Sequence, residues 1–209
     1  MAREFGGGSV FNGPSPSSDG TIVNRIVTDY VIPASGRPRR VLDVGGTAKG
    51  FRANADLPEG TELVVVNPTG PPDAQYKDIK EIPANDPGFD FAMLFGVLMY
   101  GDRSTMVGLL REIRRRLRGT HSTLLVAEPD PVSLAGFPDA VLKFTFGSLA
   151  RMAGQGSWKA RFHIYSRADA QAMLFEAGFG IVERREDLNP KLLGPIPRLP
   201  VYYVLAASI

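Results

Sequence analysis

The chain has 209 residues, 44% hydrophobic, 22% charged and 9% aromatic, with 24 Lys plus Arg against 22 Asp plus Glu and a net charge of +2. A chain of this length buries roughly 70% of the surface its unfolded form exposes, so one compact domain needs no staple, and so small a net charge gives no general nucleic-acid signal. The absence of Cys excludes thiol nucleophiles, thiolate zinc sites, iron–sulfur clusters and disulfide frameworks, and two histidines, His121 and His163, are too few for a His-rich metal site.

No apolar stretch approaches the ~20 residues of a membrane span, and no basic-then-apolar leader opens the sequence, so a cytoplasmic protein without a membrane partner is expected. Residues 1–20, rich in Gly, Pro and Ser, are too poor in apolar groups to pack alone and read as a flexible arm before a single domain over 21–209. Ile22, Val23, Ile26, Val27 and Tyr30 predict a helix from Thr21 to Tyr30, ended by Pro33, Gly36 and Pro38.

A first strand, Val41-Leu42-Asp43-Val44, runs directly into Gly45-Gly46, and Leu63 to Val66 reads as a second, buried parallel strand. Tyr76 to Ile82 predicts a weaker third strand and Phe89 to Phe95 a strong fourth. Between Arg103 and Arg118, Met106, Leu109, Leu110, Ile113 and Leu117 mark the buried face of a helix. The arginines at 111, 114, 115, 116 and 118 read as its solvated face, since no aromatic residues interleave with them.

His121 to Ala127 predicts a fifth strand. Residues 132–165, carrying Phe137, Phe144, Phe146, Trp158, Phe162 and Tyr165, read as an aromatic lid insertion. Ser166 then caps a helix from Arg167 to Ala177 that Gly178 closes. Phe179 to Glu183 and Val201 to Ala207 give two last strands around a Pro-rich loop from Pro190 to Pro200. The alternation predicts a doubly wound α/β sandwich with its ligand at the carboxyl ends of the strands.

Three segments carry a family resemblance: Val41-Leu42-Asp43-Val44-Gly45-Gly46, Phe89-Asp90-Phe91 and Ala177-Gly178-Phe179. With these, residues 21–207 resemble the class I S-adenosylmethionine-dependent methyltransferases of the small-molecule branch, with a degenerate cofactor motif. The resemblance implies a Rossmann-like fold with a seven-stranded, mostly parallel sheet of order 3-2-1-4-5-7-6 and helices on both faces.

It also implies S-adenosylmethionine as cofactor, with Asp43 placing its amino-acid end and Gly45 at the turn that contacts it. Where relatives carry D-x-G-x-G-x-G, this chain has Asp43, Gly45, Thr47 and Lys49, with Gly46 and Gly50 beside the substituted positions. Asn67 stands where an acid meets the ribose hydroxyls. Asp78-Ile79 falls where relatives hold adenine, although an Asp in a surface turn is an equal reading. The resemblance also implies that Phe95-Gly96 faces the transferable group or the adenosine edge and that Val97 to Tyr100 begins the substrate wall.

Methyl transfer to a small-molecule substrate in secondary metabolism is the favoured function, with His163 as base and Glu128 and Tyr100 behind it. The alternative is an enzyme of the same fold that closes a ring by displacing a phosphate or sulfate, for which Lys49 beside a helix N-terminus would supply the cation. A homo-oligomer or a partner subunit is compatible with either.

Overall fold

A run of apolar residues buried on both faces finds its place in the middle of a parallel sheet covered by helices. The computed structural model describes residues 39–49, 57–70, 72–119, 122–129, 163–184, 191–193, 196–197 and 201–208. Three such runs, β1 (Arg40–Val44), β2 (Glu62–Val66) and β3 (Phe91–Phe95), lie side by side with β4 (Thr123–Pro129), all parallel. After β5 (Phe179–Arg184) come a short antiparallel pair, β6 (Lys191–Leu193) and β7 (Ile196–Pro197), and then β8 (Val201–Ser208). Strand β8 enters antiparallel between β4 and β5, giving the order β2-β1-β3-β4-β8-β5.

The sheet differs from the expected seven strands at one edge, where Tyr76 to Ile82 forms no strand. Tyr76 makes a single parallel bridge to Val66, and Ile79–Glu81 then turns into a 3-10 helix. The reason is the spacing: Tyr76, Ile79 and Ile82 recur every three residues, which buries Ile79 and Ile82 on a turn and suits no strand. Gln75 covers the exposed edge of β2 with its side chain, accepting from the Val65 N–H at 2.7 Å and donating to the Leu63 carbonyl at 3.2 Å. The segment expected as a Pro-rich loop, 190–200, contains the β6–β7 pair. The expected arm, the helix over 21–30, Gly50, His121 and all of the aromatic insertion before His163 lie outside the described residues.

Two helices pack on the face carrying Leu42, Val44, Ala92, Leu94, Leu124 and Val126. Helix α1 (Arg103–Arg116) starts at Asp102, whose carboxylate accepts from the Thr105 N–H, and it buries Met106, Val107, Leu110 and Ile113. A fully buried Leu or Ile contributes about 1.5–3 kcal/mol. Helix α2 (Arg167–Glu176) opens on a reciprocal capping box between Ser166 and Asp169 and ends before Gly178 at φ +91°. The opposite face carries Val41, Leu63, Val65, Phe91, Met93, Leu125 and Ala127, with Ala48, Leu57, Ala74 and Phe95 against it.

The arginine run is absorbed by the fold. Arg111 donates to the Glu176 carbonyl, Arg115 pairs with Glu112 at 2.7 Å, Arg116 donates to the Pro83 carbonyl, and Arg118 reaches Gly88 and Asp90. At the amino ends of β1 and β3, Arg40 pairs with Glu62 at 2.6 Å and Asp86 at 2.5 Å while lying over the Phe89 ring. Among the described residues no helix is long and apolar enough to cross a membrane, and no cluster of His, Asp or Glu is arranged for a metal ion.

Candidate functional site

The carboxyl ends of the four parallel strands converge on the turn after β1. Gly45 adopts φ +87°, which only glycine takes without strain, and its N–H continues the ladder by donating to the Val66 carbonyl at 2.8 Å. A Cβ on Gly45 would stand 2.6 Å from a methyl of Val97, and one on Gly46 would run into the Asp43 carboxyl. Both glycines are therefore required by close approach: Val97 presses on the first and Asp43 folds against the second. Thr47 follows, and a helix is entered at Ala48 and Lys49.

Asp43 is 5% exposed. Burial, and secondly the negative charge of Asp73, push its carboxyl up to about 7, and among the described residues no cation offsets them. Asp73 reaches the same turn from the loop after β2, where it accepts from the Lys49 backbone N–H at 2.7 Å. Lys49 itself is exposed, and its backbone N–H is occupied by the Asp73 carboxylate.

Asn67 is buried at the end of β2, and its amide is spent within the loop. Nδ2 donates to the carbonyls of Gly45 at 3.1 Å and Gly46 at 2.8 Å, while Oδ1 accepts from the Thr69 N–H and hydroxyl. Asp78 is exposed and caps its own 3-10 turn by accepting from the Lys80 N–H; Ile79 behind it is buried in the core.

Glu128 at the end of β4 is 3% exposed, and its Oε1 accepts from the Val97 and Leu98 N–H groups at 2.6 and 2.7 Å. The carboxylate thereby holds the 3-10 turn Leu98–Tyr100, and through Val97 it holds the loop that presses on Gly45. Phe95 is half-buried at the end of β3, and beside it Gly96, at φ +63°, has open space where a Cβ would stand. Tyr100 is largely exposed, and its phenol is raised above its ordinary value, first by partial desolvation and then by the Glu128 charge. It keeps its proton at neutral pH.

His163 joins this group through its backbone N–H, which donates to the Met99 carbonyl at 2.8 Å. Its ring stacks on Tyr165 at 5.9 Å, and the Tyr165 hydroxyl donates to the Gly101 carbonyl. The histidine also contributes to holding Asp102 below the usual carboxylate range, an effect due first to the Thr105 N–H. The structure thus brings Asp43, Gly45, Gly46 and Asn67 together in one turn, and links Glu128, Tyr100 and His163 through the 97–100 loop that abuts it. Asp73 is the contributor least visible in sequence, and the pressure of Val97, expected at the substrate wall, on Gly45 is the contact the sequence does not show. The only signal for Asp73 was an acid just past Pro71-Pro72 in the loop leaving β2.

No family model and no curated protein sequence matches the chain. Solved structures do. The pyocyanin biosynthetic protein PhzM matches 90% of this chain and 54% of its own at TM-score 0.58 and 14% identity. An S-adenosylmethionine-dependent methyltransferase from Archaeoglobus fulgidus matches 90% of this chain and 93% of its own at TM-score 0.55 and 17% identity. The 1,6-didemethyltoxoflavin-N1-methyltransferase of Burkholderia thailandensis, solved with 1,6-didemethyltoxoflavin and S-adenosylhomocysteine, matches at TM-score 0.56 and 15% identity over 91% and 79%. The fold is that of the S-adenosylmethionine-dependent methyltransferases. The chain spans about half the length of several of the structures it resembles, at 54%, 54% and 51% of three of them.

Proposed function

We propose that the chain is an S-adenosylmethionine-dependent methyltransferase acting on a small molecule. The observation that carries this reading is Asp43: a buried carboxyl with no compensating cation among the described residues, set against a two-glycine turn at the carboxyl end of the first strand. Such a group is costly to keep in an empty site and inexpensive beside an ammonium. The turn and Asp43 fit the amino-acid end of the cofactor, whereas Asn67 offers no charge toward the ribose.

Asp43, Gly45, Gly46 and Thr47 would hold the amino-acid end, and Phe95 with the space at Gly96 would face the transferable group. When bound, the cofactor supplies an electrophilic methyl. The chain's part is to hold the acceptor in line and manage its proton. His163, fixed by Met99 and Tyr165, takes the acceptor's proton; Tyr100 donates a hydrogen bond at the mouth; Glu128 acts by holding the loop that carries Tyr100. The likeness to PhzM, a pyocyanin biosynthetic protein, and to the 1,6-didemethyltoxoflavin-N1-methyltransferase favours a natural-product acceptor. Among the described residues no observation favours the ring-closing alternative.

Calorimetry with S-adenosylmethionine and S-adenosylhomocysteine tests the reading. Saturable binding in the wild type that falls at least tenfold in Asp43→Ala is expected, with about 2.7 kcal/mol of stabilisation at 100 times the dissociation constant. Absence of binding in a folded wild type would overturn it.

A further inference from the structure

Two residues of the loop leaving β2 sit on the glycine turn, and their chemistry is opposite. Asn67 supplies two donors, both taken by turn carbonyls, at 3.1 Å on Gly45 and 2.8 Å on Gly46, and its own oxygen is filled by Thr69. All four hydrogen-bonding positions of the amide are used, so nothing of it remains for a ligand. A carboxylate at 67 would set negative oxygens against the same two carbonyls. The carboxylate of this loop stands six residues later. Asp73 spends one oxygen on the Lys49 N–H at 2.7 Å and is close enough to Asp43 for its charge to be felt there. Asp43 in turn is 5% exposed, lies against Gly46, and meets no hydrogen-bond donor among the described residues.

We propose that the two tasks of this loop are divided: Asn67 positions the glycine turn, and Asp73 is a specificity-determining carboxylate that, with Asp43, selects a ligand carrying a positively charged amino group over the turn. The inference rests on the cofactor reading and deepens it. Asp43 lies against Gly46, Asp73 holds the Lys49 N–H, and the Asp73 charge adds to the burial that raises Asp43, so a cationic group held by both carboxyls would offset that cost. Asn67 fixes the orientation of the Gly45 and Gly46 peptides through their carbonyls.

Three variants and two probes separate the parts. Asn67→Asp is expected to lower the melting temperature of the ligand-free protein by roughly 5–10 °C, since two buried donors are lost and an acceptor faces acceptors. An unchanged melting temperature overturns the positioning role, whatever the ligand results. Asp73→Asn keeps an oxygen for the Lys49 N–H, so its melting temperature should stay within about 2 °C of wild type or rise, whereas Asp73→Ala, which loses this contact, should melt lower. S-adenosylhomocysteine, which carries the ammonium, should bind Asp73→Asn about tenfold more weakly, while methylthioadenosine, which lacks that arm, should bind within about twofold of wild type. Equal weakening of both ligands, or of neither, overturns the selectivity role while leaving the cofactor reading intact. If the wild type binds neither ligand, the cofactor reading itself fails and the selectivity role with it; the Asn67 result stands on melting temperature alone.

Discussion

The two ends of the central sheet treat charge in opposite ways. At the amino ends of β1 and β3, Arg40 is answered by Glu62 and Asp86, and Arg118 by Asp90. The guanidinium of Arg40 is consequently pushed above its ordinary value, led by its hydrogen bond to Glu62, and the Asp86 and Glu62 carboxyls fall below theirs. At the carboxyl ends, Asp43 is buried among groups that raise it and beside a second acid. Opposite charges matched within the chain serve the fold; a buried acid left without its cation is a cost that a ligand can remove.

The largest effect should come from breaking the matched end. Arg40→Ala strips the partner from Asp86 and the cation from the Phe89 ring, and should cost about 3 kcal/mol in urea unfolding. The affinity for S-adenosylhomocysteine should stay within about twofold; a large loss of binding would show that the two ends are not separate.

The unmatched end should respond with the opposite sign. The folded value of Asp43, about 7, lies above its unfolded value, so the folded state holds a proton that the unfolded state has released. Stability from this group is complete below pH 4 and declines as pH rises to 7. Asp43→Asn should remove that decline and stabilise the ligand-free protein at pH 8 by on the order of 2 kcal/mol, read as a higher melting temperature. A mutant less stable than wild type at pH 8 would mean that the carboxylate already has its partner.

The smallest effect sharpens the outline of the site. Asp78→Ala removes only a turn cap and should lower the melting temperature by about 1–2 °C. Binding of S-adenosylhomocysteine should change less than threefold; a tenfold loss would bring Asp78 into the cofactor site.

What could be read in sequence was what depends on neighbours along the chain. Val41 to Val44 entering Gly45-Gly46, the 106-110-113 stripe of α1, and Ser166 as a helix cap are local patterns, and each stands where expected. Tyr76 to Ile82 looks like a strand by composition, but its apolar residues recur every three positions, and one glutamine side chain closes the sheet edge in its place. Glu128 and Asn67 were legible as polar residues at strand ends, but their hydrogen-bond partners were not. Which backbone groups they meet, 31 and 22 positions away in chain, is decided by the packing of separate strands. Asp73 escaped for the same reason, since only the fold brings it to Lys49.

The most direct test of the unmatched carboxyl is proton-linked binding of S-adenosylhomocysteine, followed by calorimetry in two buffers of different ionisation enthalpy. With Asp43 near 7 and driven to ionise by an ammonium, binding should release about half a proton at pH 7 and be about tenfold tighter at pH 8 than at pH 6, and Asp43→Asn should abolish both effects. Binding that is independent of pH, with no proton released in the wild type, would contradict the account.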